Sequence, residues 1–167
     1  QLGTALRQQY PQAQFADIGE LDITNRESVE SFDWSGIDVI LNAAAFTNVD
    51  GAETSEGRLV CWNVNASAVS NLARVCLKHD MALLHISSDY VFDGTKVPHL
   101  EDEVFSPLSV YGASKAAGDA VVMTLDKHYI LRTTWVIGEG KNFVRTMLGL
   151  AEKGVSPTVV SDQVGRL

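Results

Sequence analysis

The sequence predicts an α/β fold in which helices cover both faces of a mostly parallel sheet, and three observations predict it. Short apolar runs bounded by turn residues alternate with segments of helical periodicity along the chain. Two of these runs, Ile37 to Leu41 and Ala82 to Ile86, are almost continuously apolar, which is typical of strands buried on both faces. The length of 167 residues with 46% hydrophobic content suits one globular domain. This alternation implies right-handed crossovers and a doubly wound, Rossmann-like sheet.

The elements follow from the periodicity and from the residues that flank each run. The predicted strands are Gln14 to Asp17, Ile37 to Asn42, Ala82 to Ser87, Tyr129 to Thr133 and Thr158 to Ser161. The predicted helices are Leu2 to Gln9, Arg26 to Phe32, Gly57 to Lys78, Ser109 to Leu125 and Asn142 to Lys153. Asn25 and Ser109 are predicted to cap the helices that follow them, because their short polar side chains can accept from free amides of the first turn.

The start of the chain lacks a feature that this fold normally has. A nucleotide-binding α/β domain usually opens with an apolar strand and a glycine-rich turn, whose amides meet a pyrophosphate at a helix N-terminus. Here Gly3 stands at the start of a predicted helix, as the last glycine of such a turn would; alternatively, it is an ordinary terminal residue. We therefore expect residues 1–167 to form one nucleotide-binding domain of a longer protein, without its first strand and its C-terminal substrate region. Alone, it should bind a dinucleotide weakly and self-associate through the unpaired strand edge.

Composition argues against several classes of partner. The net charge of −8, from 13 basic and 21 acidic residues, would repel a nucleic-acid backbone. No apolar stretch approaches the roughly 18 residues of a membrane span, and the first residues do not resemble a signal peptide, so we expect a cytoplasmic protein. Cys61 and Cys76 lack the spacing of a zinc or redox motif and are expected to be plain buried thiols. The four histidines form no metal-ligand pattern, and no role is assigned to them.

Tyr111 and Lys115 form the first pair that carries chemistry. They lie four residues apart on a predicted helix, so their side chains project from one face on successive turns. A fixed ammonium beside a phenol would favour the phenolate and lower the pKa of Tyr111 from about 10 toward the working pH. Small residues from 112 to 114 and from 116 to 118 would let a ligand approach the helix backbone closely. The same spacing also occurs by chance on exposed helices, so it needs support from elsewhere.

Two predicted strand ends supply that support. The strand from Ala82 ends in Ser87, Ser88 and Asp89, and the strand before it ends in Asn42 followed by three alanines. Ligands of parallel sheets bind outside the carboxyl ends of the strands, so both ends belong on one rim. There Ser88 could hold a substrate oxygen beside the Tyr111 hydroxyl. The alternative is that Ser87, Ser88 and Asp89 only cap a turn.

Taken together, these segments resemble the extended short-chain dehydrogenase/reductases, and within them the dTDP-4-dehydrorhamnose reductase family. The resemblance runs through the whole chain. It rests on these segments, in order: Gln1 to Gly3, Leu21 to Thr24, Asn42 to Asp50, Ser87 to Gly94, Tyr111 to Lys115, Arg132 to Val136 and Ser161 to Gln163. The family usually has Thr where Ser88 stands, which retains a hydroxyl.

The resemblance implies a mechanism and a set of site residues. Hydride would pass from the nicotinamide to the 4-keto carbon of dTDP-4-dehydro-L-rhamnose, a step toward cell-surface polysaccharide. Tyr111 would protonate the oxygen, Lys115 would hold the nicotinamide ribose and Ser88 would orient the carbonyl. The cofactor-binding candidates are Leu2, Gly3, Asp17, Asp22, Ile23, Ala43, Ala44, Ala45, Tyr111 and Lys115. The substrate-binding candidates are Val49, Ser88, Asp89, Tyr90 and Trp135, of which Trp135 would also pass as plain core.

The identity of the cofactor is left between NADPH and NADH. Asp17 would end the second strand of the fold, close to the distance at which an acid bonds the ribose 2′-hydroxyl, and no Lys or Arg follows to hold a 2′-phosphate. This favours NADH, whereas the family generally uses NADPH. Asp22 could equally be a surface charge.

Two other functions are weighed against reduction. Nucleotide-sugar 4,6-dehydratases resemble this chain but place an Asp-Glu pair after the strand hydroxyl, whereas Tyr90 follows Asp89 here, which favours reduction. A non-catalytic regulatory subunit of the same fold is the second alternative, because the family resemblance extends to a protein that modulates a methionine adenosyltransferase. The intact Ser88, Tyr111 and Lys115 favour the enzyme. Its partner would be a nucleotide sugar, and a homodimer is possible.

Overall fold

The computed structural model describes residues 1–160, so the predicted Ser161 to Gln163 segment lies outside the described residues. The chain divides into two compact units. The first unit comprises Gln1–Phe15 and Thr133–Leu167, and the second comprises Ala16–Arg132. That residues 1–167 act as one nucleotide-binding domain stays a prediction.

The second unit is built around a three-stranded sheet. Its strands are β1 (Val39–Asn42), β2 (Ala82–Ser88) and β3 (His128–Thr133), whose last residue belongs to the first unit, and they lie in the order β1-β2-β3. β1 and β2 pair in parallel, with Val39 opposite Ala82 and Asn42 opposite His85. The Leu83 amide donates to the Lys127 carbonyl just before β3. The predicted α/β fold with a parallel sheet is thus confirmed.

Helices of the second unit connect and cover these strands. They are α2 (Arg26–Ser31), α3 (Ser55–Trp62), α4 (Ala68–His79) and α5 (Val110–Val122). A π-helical segment, Asn63–Ser67, joins α3 to α4, where the sequence predicted one long helix from Gly57 to Lys78. Single-turn 3₁₀ segments, Gly51–Glu53 and Asp89–Val91, follow the carboxyl ends of β1 and β2. Asn25 caps α2 and Ser109 caps α5 through hydrogen bonds to first-turn amides, as predicted.

One face of the sheet carries the core. α4 turns six buried side chains inward, and Asp80 ends it in the left-handed conformation. The buried cluster consists of Val29, Trp34, Val69, Leu72, Ala73, Val75, Cys76, Met81, Leu83, Val122 and Leu125, with Ile40 and Ile130 packed against it. Successive side chains of a strand point to opposite faces of the sheet. The residues next to each core-facing position in a strand therefore point to the other face.

The first unit contains two helices, α1 (Leu2–Gln9) and α6 (Phe143–Glu152). Asn142 caps α6 by accepting from the Arg145 amide. The Gln1 side-chain amide donates to the Lys141 carbonyl, and the Trp135 and Phe143 rings pack edge to face with centroids 5.0 Å apart.

Within residues 1–160, the segments predicted as strands from Gln14 and from Thr158 are irregular. Residues 14–17 run without a ladder partner in the described part of the chain, and Thr158 to Val160 are likewise irregular. A short apolar run becomes a strand only where a neighbour accepts and donates its backbone hydrogen bonds. Within residues 1–160, no helix combines the length and the apolar character that crossing a membrane demands.

Candidate active site

The carboxyl ends of β1 and β2 meet at one edge of the sheet, as predicted. The parallel register places Asn42, the last residue of β1, beside His85, three residues before the end of β2. The loop after β1 is tied down at its start, because the Ala44 amide donates to Asn42 Oδ1 over 3.1 Å. The loop contains the small residues Ala43 to Ala45, of which Ala44 is exposed.

α5 presents a polar stripe beneath this edge. Tyr111, Lys115 and Asp119 are spaced four residues apart and therefore share one face of the helix. Lys115 and Asp119 are buried, with 1% and 0% of their surface exposed, whereas Tyr111 is partly accessible. The chain buries two charged groups on this stripe, and each needs a partner to offset the loss of water.

Ser88 is the last residue of β2, and its side chain interacts with Tyr111. Its hydroxyl caps the 3₁₀ turn by accepting from the Tyr90 amide at 3.2 Å, and it donates to Asp89 Oδ1. The nearby Ser88 hydroxyl lowers the pKa of the Tyr111 phenol. The Tyr90 ring lies edge-on to Tyr111 with centroids 5.9 Å apart. Ser88 therefore caps a turn and contacts Tyr111, so the two interpretations of the sequence do not exclude each other.

The pKa of Tyr111 departs from the sequence expectation. Burial raises the pKa above its usual value of 10.0, and the Ser88 hydroxyl offsets only part of that effect. The neighbouring Cys61, Asp89 and Tyr90 raise it further. The prediction that Lys115 lowers the pKa toward the working pH is wrong for this structure, because desolvation of the phenolate dominates.

Lys115 is directed toward β2. Its Nζ donates to the Ile86 carbonyl over 2.7 Å and lies 3.3 Å from Nε2 of His85. Burial lowers the pKa of Lys115 from 10.5 to about 8, against the influence of Asp119 and Cys61, which raise it. That Lys115 holds the nicotinamide ribose stays a prediction.

Behind Lys115 lies a polar cluster that sequence reasoning missed. His85 is fully buried, its Nδ1 lies 3.0 Å from Asn42 Nδ2, and its Nε2 lies 4.0 Å from Asp119 Oδ1. Arg132 Nε donates to Asp119 Oδ2 over 3.0 Å. Burial lowers the pKa of His85 to about 3 and raises that of Asp119. The four-residue spacing could have shown that Asp119 shares a helix face with Lys115. The position of His85, in contrast, depends on strand register.

Two small residues of α5, Gly112 and Gly118, face the protein's own backbone. A Cβ at Gly112 would lie 2.2 Å from the Tyr90 backbone oxygen, and one at Gly118 would lie 2.3 Å from that of Asn65. The expectation that these residues admit a ligand to the helix backbone is therefore wrong at both glycines, because the protein's own main chain occupies that space.

A second buried set holds the loop after β1 against the helices. Asn65, in the π-helical segment, accepts from the Phe46 amide and donates to the Phe46 carbonyl and to Ser114 Oγ. Cys61 Sγ lies 3.1 Å from the same Ser114 oxygen. Both Cys61 and Cys76 are free and buried, as predicted.

The remaining candidates of the second unit lie outside this cluster of contacts. Asp17 does not end a strand, which corrects the sequence analysis, and it is exposed in a turn closed by Glu20 and Leu21 amides donating to its carbonyl. Asp22 accepts from the Thr24 amide and hydroxyl, which lower its pKa, and Ile23 packs against the core. Val49 is partly buried in the turn after β1. Their roles toward cofactor or sugar stay predictions.

Leu2, Gly3 and Trp135 belong to the first unit. Leu2 lines a cleft of about 320 Å³ formed by α1 and residues 136–139, and a Cβ at Gly3 would meet open space. Trp135 is half-buried and packs on the exposed ring of Phe143, and its role toward the sugar stays a prediction. Within residues 1–160, no three His, Cys, Asp or Glu side chains converge as metal ligands would.

Comparisons with known proteins show the family. The sequence profile described as the RmlD substrate binding domain matches residues 1–166. The chain is 47% identical over 153 residues to a dTDP-4-dehydrorhamnose reductase of Aggregatibacter actinomycetemcomitans, covering 89% of this chain and 51% of the relative. It is 41% identical over 151 residues to the reductase of that name from Mycolicibacterium smegmatis, covering 87% of this chain and 45% of the relative. The chain thus spans about half the length of the curated relatives it matches.

Solved structures give the same result. A dTDP-4-dehydrorhamnose reductase of Bacillus anthracis, in complex with NADP, superposes with a TM-score of 0.84 at 35% identity, covering 92% of this chain and 57% of that one. A reductase of the same name from Clostridium acetobutylicum superposes with a TM-score of 0.83 at 37% identity, covering 92% of this chain and 56% of that one. The chain belongs to the dTDP-4-dehydrorhamnose reductase family.

Proposed function

We propose that this chain is the nucleotide-binding part of an NAD(P)H-dependent reductase that converts dTDP-4-dehydro-L-rhamnose to dTDP-L-rhamnose. The observation that carries the proposal is that Ser88 and Tyr111 interact at the carboxyl edge of the sheet, with Lys115 one turn further along α5. The named relatives support the choice of substrate. A cytoplasmic location and a homodimer stay predictions.

The residues at this edge fit a nicotinamide cofactor. The exposed Ala44 leaves the backbone after β1 open to a flat ligand, and Gly3 presents an open backbone in the first unit. Residues 43–45, Tyr111 and Lys115 would hold the cofactor at this edge, and Leu2 and Gly3 stay candidates in the first unit. When bound, the cofactor supplies a hydride for the 4-keto carbon.

Each residue of the set then has a defined task. Ser88 would orient the keto oxygen by donating a hydrogen bond to it, and Tyr111 would give that oxygen its proton as the carbon is reduced. The raised pKa of Tyr111 keeps the phenol protonated at neutral pH, so the proton to be donated is present. Lys115, with a pKa of about 8, can exchange a proton near the working pH and could restore the one that Tyr111 loses.

The proposal is tested with the intact protein that carries this chain. We expect oxidation of NADPH or NADH that depends on dTDP-4-dehydro-L-rhamnose, with one sugar reduced for each cofactor oxidised. A folded protein that oxidises no cofactor, yet binds and modulates a partner such as methionine adenosyltransferase, would instead support the regulatory alternative. The intact set of Ser88, Tyr111 and Lys115 favours the enzyme, since a binding module needs no paired phenol and amine.

A further inference from the structure

The buried imidazole of His85 lies between three polar side chains from two elements. Asn42 of β1 faces its Nδ1 at 3.0 Å, and Lys115 of α5 faces its Nε2 at 3.3 Å. Asp119 Oδ1, at 4.0 Å from Nε2, is too distant for a hydrogen bond. Neither nitrogen of the ring is exposed to solvent, so these neighbours determine which nitrogen donates a hydrogen bond and which one accepts.

The contacts of Asn42 fix which nitrogen of His85 carries the proton. The Ala44 backbone N–H can only donate, and it donates to Oδ1 of Asn42. The other end of the same amide, Nδ2, must then face His85, and an amide nitrogen only donates. His85 Nδ1 therefore accepts, and the proton of the neutral ring resides on Nε2. Burial keeps the ring neutral by lowering its pKa to about 3.

This tautomer has a consequence for Lys115. The Nε2–H of His85 points at Nζ, while Nζ itself donates to the Ile86 carbonyl. An ammonium has only donors and would oppose the imidazole N–H, whereas a neutral amine retains a lone pair that accepts it. The His85 ring therefore destabilises the ammonium form of Lys115 while Nζ is hydrogen-bonded to the Ile86 carbonyl.

We propose that His85 is a positioning residue for Lys115. Asn42 keeps the His85 ring in the Nε2–H tautomer, and in this tautomer the ring holds Nζ of Lys115 at the Ile86 carbonyl and favours the amine over the ammonium. The consequence for catalysis rests on the proposed function. The tautomer of His85 and the protonation state of Lys115 do not depend on it.

Other titratable groups around the pair act in known directions. Cys61 of α3 and Asp119 of α5 favour the ammonium of Lys115, and Arg132 of β3 weakens the influence of Asp119 by pairing with it. Around His85, the charged neighbours are Lys115 and Asp119. Burial is the effect that favours the amine, and under the proposal the Nε2–H of His85 adds to it.

The first experiment reads the tautomer directly. In the intact protein labelled with ¹⁵N-histidine, we expect two-bond ¹⁵N–¹H correlations to show His85 protonated on Nε2 alone at neutral pH. In the same protein labelled with ¹³C-lysine, the Lys115 signal, assigned by its loss in Lys115→Met, should titrate well below the ordinary value of about 10.4. A proton on Nδ1, an imidazolium, or an ordinary lysine titration would each overturn the proposal.

The second experiment uses an isosteric substitution of Asn42 to change the tautomer of His85. Asn42→Asp replaces the donor that faces Nδ1 with an acceptor, so the ring should move its proton to Nδ1 and offer a bare Nε2 to the ammonium. We expect the Lys115 midpoint to rise by more than about one pH unit. Asn48→Asp adds the same charge in an exposed turn and should leave both signals unchanged.

The activity measurement separates this proposal from the proposed function. If Asn42→Asp moves the tautomer and the lysine midpoint, the pH profile of keto-sugar reduction should move with them. A shifted midpoint with an unshifted rate profile would leave the role of His85 standing and count against Lys115 in the reaction. An Asn42→Asp protein that keeps the Nε2–H tautomer and the lysine midpoint of the parent would overturn the role of His85. Should Asn42→Asp fail to fold, the spectra of the unmodified protein decide alone.

Discussion

Tyr111 is the residue on which the proposed chemistry depends most. Its phenol is protonated at neutral pH because burial raises its pKa, and the Ser88 hydroxyl at the edge of the sheet offsets only part of that rise. Such a group is suited to donate a proton while hydride reaches the neighbouring carbon.

Removing that hydroxyl should abolish most of the turnover. For Tyr111→Phe in the intact protein, we expect keto-sugar reduction to fall by about two to four orders of magnitude, the range of general acid catalysis. Cofactor affinity, measured by calorimetric titration, should stay within a few-fold of the parent. Tyr129→Phe, which removes an exposed hydroxyl from β3, is the matched control and should retain full turnover. Comparable turnover in the two variants would remove Tyr111 from the mechanism.

Lys115 links catalysis to stability. Between pH 8 and 10.5, the unfolded chain binds a proton that the folded chain has released, because burial lowers the pKa of Lys115 from 10.5 to about 8. The free energy of unfolding of the parent should therefore rise with pH across this window through Lys115. Below pH 8 the buried ammonium opposes folding throughout.

The prediction concerns the difference between Lys115→Met and the parent. Because methionine cannot titrate, the stability of the variant relative to the parent should fall by about 3 kcal/mol between pH 8 and 10.5. Urea denaturation at a series of pH values measures it. Lys78→Met, at an exposed position of α4, should show no such trend. A pH-independent difference for Lys115→Met would mean that Nζ is solvated in the folded protein.

At the scale of elements, α5 is pressed against two neighbours through its glycines. Gly112 meets the backbone after β2, and Gly118 meets the π-helical segment between α3 and α4. These approaches bring Tyr111 to Ser88 and seat Ser114 against Asn65. Any Cβ at either glycine must push the helix away from main chain that cannot yield easily.

A pair of glycine substitutions tests this packing. We expect Gly118→Ala to destabilise the protein by about 1–3 kcal/mol, the usual cost of overpacking a core. Gly149→Ala in α6, where an added Cβ meets open space, should instead stabilise by up to about 1 kcal/mol, because alanine is the better helix former. Thermal unfolding of both variants gives the comparison. Equal and favourable effects would show that α5 does not contact Asn65 so closely.

At the scale of the whole molecule, the sheet of the second unit has one face that packs against its helices and one face that carries exposed apolar side chains. Ile40, Leu83 and Ile130 point into the core, so the residues next to them point to the other face. That face carries Val39 (50% exposed), Leu41 (39%), Tyr129 (65%) and Leu131 (48%). An apolar surface of this kind favours association with other surfaces.

We therefore expect the 167-residue chain, expressed alone, to self-associate. Light scattering should give a mass above that of a monomer at micromolar concentration, and a hydrophobic dye should bind. Leu41→Lys with Leu131→Lys should lower both signals, because the charges oppose burial of the face. Leu77→Lys, which replaces an exposed leucine of α4, is the control and should not. A monomeric parent that binds no dye would show that this face is covered.

What the sequence determined by itself is local in character. Periodicity and capping residues predicted α1, α5 and β2 nearly to their ends, and the four-residue spacing predicted that Tyr111 and Lys115 share a helix face. The motifs also sufficed to identify the family, because they occur in order along the chain. All of these depend on residues close together in sequence, whose relative geometry the helix or strand itself sets.

Tertiary structure decided what lies between elements. His85 meets Asn42 from 43 residues away and Lys115 from 30, so its role depends on strand register and on helix placement that no local pattern encodes. Residues 14–17 lacked a neighbouring strand and stayed irregular despite a strand-like pattern. The direction of the Tyr111 pKa was likewise decided by burial. The spacing of two side chains predicts their attraction, but the water that each loses depends on everything packed around them.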